Sequence, residues 1–120
     1  MANELTTPIV IDNGEIEVFL DDIQAPAGQP AVDITGDQTL LAVLPNGSIA
    51  APDLGNTAVQ ASGDNAIVLN LGEISGDLNG ISSTGDNLRL LNLGTNQSNS
   101  RAVDLSDGDG ILVLNTGDIL

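Results

Sequence analysis

Seventeen carboxylates and two guanidiniums carry almost all the acid–base chemistry that this 120-residue chain could perform. It contains no His, Cys, Lys, Tyr or Trp, so nucleophilic triads, thiolate clusters and imidazole-based zinc sites have no side chains to draw on. Catalysis would have to rest on paired carboxylates, as in glycoside hydrolysis, where one acid protonates the leaving oxygen and the other attacks or activates water. Glu15, Glu17, Asp21 and Asp22 are close enough in sequence to attempt this, but the segment reads more simply as a solvated strand and turn. Sugar sites also stack rings on aromatic side chains, and Phe19 is the sole aromatic. An oxygen-only inventory suits calcium better, because that ion takes carboxylates and carbonyls in irregular loops. Asp104, Asp107 and Asp109 form the candidate cluster, in DLSDGDG. The helix–loop–helix calcium pattern would want an oxygen donor where Ile111 stands and Glu where Asp118 stands, and the glycine-rich nonapeptide repeat is absent. The same aspartates also suit a corner role beside glycine. Asn46-Gly-Ser and Asn96-Gln-Ser match the short glycan-acceptor pattern. No cofactor is expected, calcium being the one ion these residue types would suit, and the chain is not expected to be an enzyme.

The elements that must position these groups announce themselves as a repeat. Gly-Asp opens four similar segments at Gly36, Gly63, Gly85 and Gly108, spaced 27, 22 and 23 residues apart. A short β-prone piece precedes each opener, and an aliphatic run follows it. The runs close at Asn70-Leu-Gly, Asn92-Leu-Gly and Asn115-Thr-Gly, with Asn46-Gly47 and Asn13-Gly14 read as shortened forms. A third polar station follows in SGDLNG (75–80), in TNQSNS (95–100) and, longer, in AAPDLGN (50–56). Three turn-forming stations between three short strands describe an all-β, three-sided parallel β-helix of about five coils of roughly 22 residues. It is expected as a single domain over 1–120, with 1–30 an irregular N-terminal coil or cap and 31–120 the regular repeats. The competing all-β reading is an antiparallel sandwich, drawn from the hairpin-like Asn-Gly pairs at Asn13, Asn46 and Asn79. Gly supplies backbone angles other residues adopt at a cost, while Asp or Asn beside it can bond the local backbone and tolerate a left-handed conformation.

Stacking equivalent positions then predicts columns. Asn70, Asn92 and Asn115 would form an amide ladder. Leu41, Val68, Leu90 and Val113 would stack inward, as would Val32, Val59, Ile81 and Val103. Alternation turns Leu40, Ile67, Arg89 and Leu112 outward on one side, and Ala42, Leu69, Leu91 and Leu114 on the other. Strands apolar on both faces are normally covered on both. Two covers suggest themselves: a loop of the same chain, near Phe19 or over Pro26 to Pro30, or a neighbouring molecule. The chain stops inside the repeat at Ile119-Leu120, which predicts either a segment of a longer array or end-to-end stacking. The expected contact residues are therefore Leu40, Ile67, Leu69, Leu91, Leu112, Leu114 and Leu120.

Charge narrows the partners. A net charge of −15, with Arg89 and Arg101 the only basic residues, disfavours nucleic acid and anionic lipid surfaces. No apolar run approaches the ~18 residues that suggest a membrane-spanning helix, and no signal-peptide pattern opens the chain. The disulfide question does not arise without cysteine.

The run GISSTGDNLRLLNLGT, echoed by NTAVQASGDNAIVLNLGEI and GDGILVLNTGDI, resembles the repeats of bacterial secreted β-helix proteins, those of autotransporter-passenger and haemolysin-like adhesins above all. The resemblance covers about residues 31 to 120. It implies a right-handed helix, export to the cell surface, and a role as stalk, adhesin or matrix component. The expectation is thus a non-enzymatic extracellular structural or self-assembling module, associating laterally or end to end. A calcium- or glycan-binding adhesin segment is the first alternative, and a polysaccharide-active β-helix enzyme is the second.

Overall fold

The computed structural model describes residues 3–105 and 108–120, and within these it is built from strands alone. After β1 (Asn3–Glu4) come five triplets, each one rung of a coil. They are β2 (Ile9–Ile11), β3 (Ile16–Phe19) and β4 (Asp22–Gln24); β5 (Val32–Ile34), β6 (Leu40–Val43) and β7 (Ser48–Ala51); β8 (Thr57–Ala61), β9 (Ile67–Asn70) and β10 (Glu73–Gly76); β11 (Asn79–Ser83), β12 (Arg89–Asn92) and β13 (Thr95–Ser98); and β14 (Arg101–Asp104), β15 (Leu112–Asn115) and β16 (Asp118–Ile119). Every third strand pairs in parallel. Sheet A runs β1-β4-β7-β10-β13-β16, sheet B β2-β5-β8-β11-β14 and sheet C β3-β6-β9-β12-β15. The chain is a three-sided parallel β-solenoid. The antiparallel alternative fails because the paired strands all run the same way. Five rungs at about 4.8 Å fit a body of 35 × 27 × 25 Å.

The expected columns are in register. Leu41 pairs with Val68, Val68 with Leu90 and Leu90 with Val113. Val32, Val59, Ile81 and Val103 form the equivalent column on sheet B. Sheet A contributes Ile23, Ile49 and Ile74. All are sealed from solvent in the middle rungs, where each aliphatic side chain contributes about 1.5–3 kcal/mol relative to exposure. Val103 and Val113, in the last rung, are only partly covered.

Three expectations need correction. Residues 1–30, expected as an irregular coil or a cap, form a coil that is regular over β2, β3 and β4, which pair in register with β5, β6 and β7. They do so because Ile11, Phe19 and Ile23 supply the same buried columns as later rungs. Irregularity lies instead at 25–31 and 52–56, the insertions that lengthen the early repeats. Second, Asn13-Gly14 belongs to the Gly-Asp corner, not to the Asn-x-Gly closure. Asn13 Oδ1 accepts the Asp37 N–H at 2.7 Å, as Asp37 accepts from Asp64 (2.8 Å), Asp64 from Asp86 (2.9 Å) and Asp86 from Asp109 (3.0 Å). Third, the polar stations are mostly strand: Thr95–Ser98 is β13, and Asn79-Gly80 opens β11.

The first corner has one conformational demand. Gln38, Asn65 and Asn87 sit at φ 57°, 58° and 58°, in line with Gly14 at 72° and Gly110 at 68°. This left-handed step follows the Asp of each opener and turns the chain into sheet C. The preceding glycine answers to space: a methyl group on Gly85 would collide with the Gly63 carbonyl one rung below.

Candidate functional site

Alternation along sheet C sends every second side chain outward, and the register stacks them into columns. The leading column, nearest the Gly-Asp corner, is Ile16, Leu40, Ile67, Arg89 and Leu112. The middle column is Val18, Ala42, Leu69, Leu91 and Leu114. Backbone bonds carry the ladder one residue past the strands, since Leu44 N–H donates to Phe19, Leu71 to Val43, Leu93 to Asn70 and Thr116 to Asn92. Leu20, Leu44, Leu71, Leu93 and Thr116 are thereby the trailing column. Only Arg89 and Thr116 interrupt an aliphatic surface three residues wide and five rungs tall.

This face is open. Ile16 is 64% exposed, Leu20 62%, Leu112 56% and Leu114 55%. Neither suggested internal cover lies over it: Phe19 points into the core, and the Pro26 carbonyl accepts a 3.4 Å bond from Asn56 Nδ2, where the chain leads into sheet B. A shallow groove of about 230 Å³ between Ile67, Arg89, Leu91, Leu112 and Leu114 has Leu90 as its floor. The expected contact residues Leu40, Ile67, Leu69, Leu91, Leu112 and Leu114 share this face. Leu120 does not, because its N–H bonds to Asn96 O along sheet A. Ile16, Val18 and the four trailing leucines were hidden to sequence reasoning because the first rung was read as irregular and the closures as turns. The signal that would have found them is alternation begun at Ile16 and continued past Phe19 to Leu20, past Val43 to Leu44, and through Asn to Leu71 and Leu93.

The other two faces are polar. Sheet A presents Asp22, Ser48, Glu73, Thr95 and Asp118 in one column, and Gln24, Ala50, Ser75 and Gln97 in the next. Ser48 Oγ donates to Asp22 at 2.8 Å and Gln97 Nε2 to Glu73 at 3.4 Å. Sheet B presents Val10, Asp33, Gln60, Ser82 and Asp104. Burial raises the pKa of Asp33 above the usual carboxylate value. At the corner from sheet A to sheet B, the Asp77 carboxylate accepts the Gly55 N–H at 2.7 Å and the Asn99 amide at 2.8 Å. These bonds, the backbone one first, lower its pKa.

The asparagine ladder stands on the inner side of the sheet C closure. Asn70 Nδ2 donates to Asn92 Oδ1 at 2.9 Å and to Thr95 O at 2.9 Å, and its own Oδ1 accepts the Gly72 N–H at 3.1 Å. Asn92 Nδ2 repeats the pattern toward Asn115 Oδ1 and Asp118 O, each at 2.9 Å. Asn70 and Asn92 are fully buried, while Asn115 is exposed. Val43 and Phe19 continue the column below in apolar form.

The candidate chemical groups do not converge. Glu15 bonds back to Asp12 N at 2.7 Å, Glu17 lies on sheet C and Asp22 on sheet A. Asp104 pairs with Arg101 at 3.0 Å, Asp109 belongs to the first-corner ladder, and Asp107 lies outside the described residues. Among the described residues no three acidic side chains gather where a cation would be held. Of the two glycan-acceptor patterns, Asn46 is exposed and Asn96 is sealed in the core. No helix among the described residues is long and apolar enough to cross a membrane. Compared with protein-family models, curated proteins and solved structures, the chain finds no match.

Proposed function

We propose that this chain is a non-enzymatic structural module of an extracellular fibre, stalk or matrix, and that it works by protein–protein contact. The observation that carries this reading is the outer face of sheet C, a continuous aliphatic surface on a chain otherwise acidic. Soluble monomers rarely expose apolar patches beyond a few hundred Å², and larger ones mark contact sites. The ladders favour a structural role: one ties each rung to the next at the first corner and the asparagines join the last three rungs at the second, suiting the chain to span and hold rather than to open and close. The extracellular placement is supported by the resemblance of its repeats to those of secreted β-helix proteins.

Light scattering and sedimentation of the purified chain across a range of concentrations, with and without calcium, test the proposal. Concentration-dependent, calcium-independent oligomers are expected. Oligomers that form only with calcium would favour the adhesin alternative, and a strictly monomeric chain at high concentration would refute contact with itself as the working principle.

A further inference from the structure

Resting on that reading, we propose the occupant of the sheet C face and its orientation: a second copy of this chain, docked face to face with its solenoid axis parallel, each rung over the same rung.

The face measures about 24 Å along the axis and about 17 Å along the strands, or roughly 400 Å² in projection. Two such faces, with their side-chain relief, come close to the ~1,000 Å² of accessible surface that a specific interface must clear, which places the pairing among weak, transient interfaces. Charge argues for a like partner. The face carries no carboxylate among its fifteen outward positions, on a chain of 17 acidic residues. A strongly charged partner would find its counterpart elsewhere on the molecule, whereas a surface without carboxylates is where two such chains can meet without repulsion.

Two isologous arrangements keep the solenoid axes aligned, because the two-fold axis of such a contact lies in the plane of the interface. With the axis along the strands, the leading edges of both copies coincide. That brings two columns of four aspartates, Asp37, Asp64, Asp86 and Asp109, alongside each other across a sheet separation of about 10 Å, close to the screening length of physiological salt. With the axis along the solenoid, each aspartate column lies beside the partner's trailing edge, beyond which sheet A begins with Asp22, Ser48, Glu73, Thr95 and Asp118. The second arrangement lessens the repulsion, because Ser48 and Thr95 stand in the rungs of Asp37 and Asp86 and carry no charge. It also sets each Arg89 at the rim over the second copy's Leu93, its stem on aliphatic surface and its guanidinium free to reach toward its own chain's aspartates.

The chain has no cysteine, so single-cysteine variants report contacts cleanly. Thr116→Cys mixed with Leu112→Cys under oxidation is expected to give a cross-linked pair, detected by intact mass. Thr116→Cys mixed with Leu20→Cys is expected to give none, whereas cross-linking in that mixture alone would establish the reversed arrangement and overturn the inference while leaving the structural reading intact. Ile67→Lys, in the middle of the leading column, is expected to weaken association at least about tenfold with circular dichroism unchanged. Association should tighten as salt rises from about 0.05 to about 0.5 M, because salt screens the acidic bodies and leaves the apolar contact intact. A monomer at every concentration would sink this inference and the proposed function together. A dimer indifferent to Ile67→Lys would sink the choice of face.

Discussion

Asn92 and Asn96 stand in the same rung, at the two ends of one closure, and both are sealed from solvent. Asn92 bonds to the amide below it, the amide above it and the Asp118 carbonyl, each at 2.9 Å. Asn96 occupies the sheet A column of Ile23, Ile49, Ile74 and Ile119, and among the described residues neither its Oδ1 nor its Nδ2 has a partner. In a solenoid the natural partner of a buried polar group is the same position one rung away. Repetition therefore converts a costly side chain into a stabilising one, and a lone amide among isoleucines receives nothing in return for losing water.

The comparison breaks most visibly at the ladder. Asn92→Leu should cost about 3 kcal/mol in urea unfolding, because it strands an amide proton of Asn70 and the Asp118 carbonyl together. A cost under about 1 kcal/mol would mean that the ladder is ornament. Asn96→Ile should move stability the other way, by about 1–2 kcal/mol, since it removes unpaired polar atoms and restores the residue that the column carries elsewhere. Destabilisation by the isoleucine would show that the space around Asn96 is shaped for an amide.

The same contrast explains what could be read from the amino-acid order. The ladder was legible because Asn-Leu-Gly, Asn-Leu-Gly and Asn-Thr-Gly recur at near-constant spacing, so chemistry and register point to one position. The inward columns followed from the same alignment. Asn96 was illegible because TNQS carries no apolar residue to mark its inner face. It is a strand only because Glu73–Gly76 on one side and β16 on the other hold it in register. The first rung was misread for a related reason: Asn-Gly serves at two different corners, and Asn13 and Asn46 share a dipeptide but not a place. The apolar outer face was partly visible, and its trailing column was lost to the assumption that a closure is a turn. Tertiary register, which no local pattern encodes, decided each of these cases.

The contrast has a surface counterpart in two carboxylates, where the effects are smaller and appear as pH dependence. Asp77 draws partners from the rungs on either side of it, through Gly55 and Asn99, and its pKa is lowered. Asp33, in the sheet B column, is shifted upward by burial. The linkage signs are opposite. The stability that Asp77 provides is complete above the ordinary carboxylate pKa of about 3.9 and is lost as pH falls through its lower folded-state value. For Asp33 the folded chain holds its proton longer than the unfolded chain, so stability declines as pH rises from the unfolded value to the folded one, and the deficit persists above it. Urea midpoints measured from acid to neutral pH should therefore show Asp77→Asn less stable than the parent at neutral pH, with the gap narrowing in acid. Asp33→Asn should be more stable at neutral pH, with its advantage fading in acid. If both variants track the parent at every pH, neighbouring rungs do not set the energetics of these surface carboxylates, and the rule drawn from Asn92 and Asn96 is confined to the buried interior.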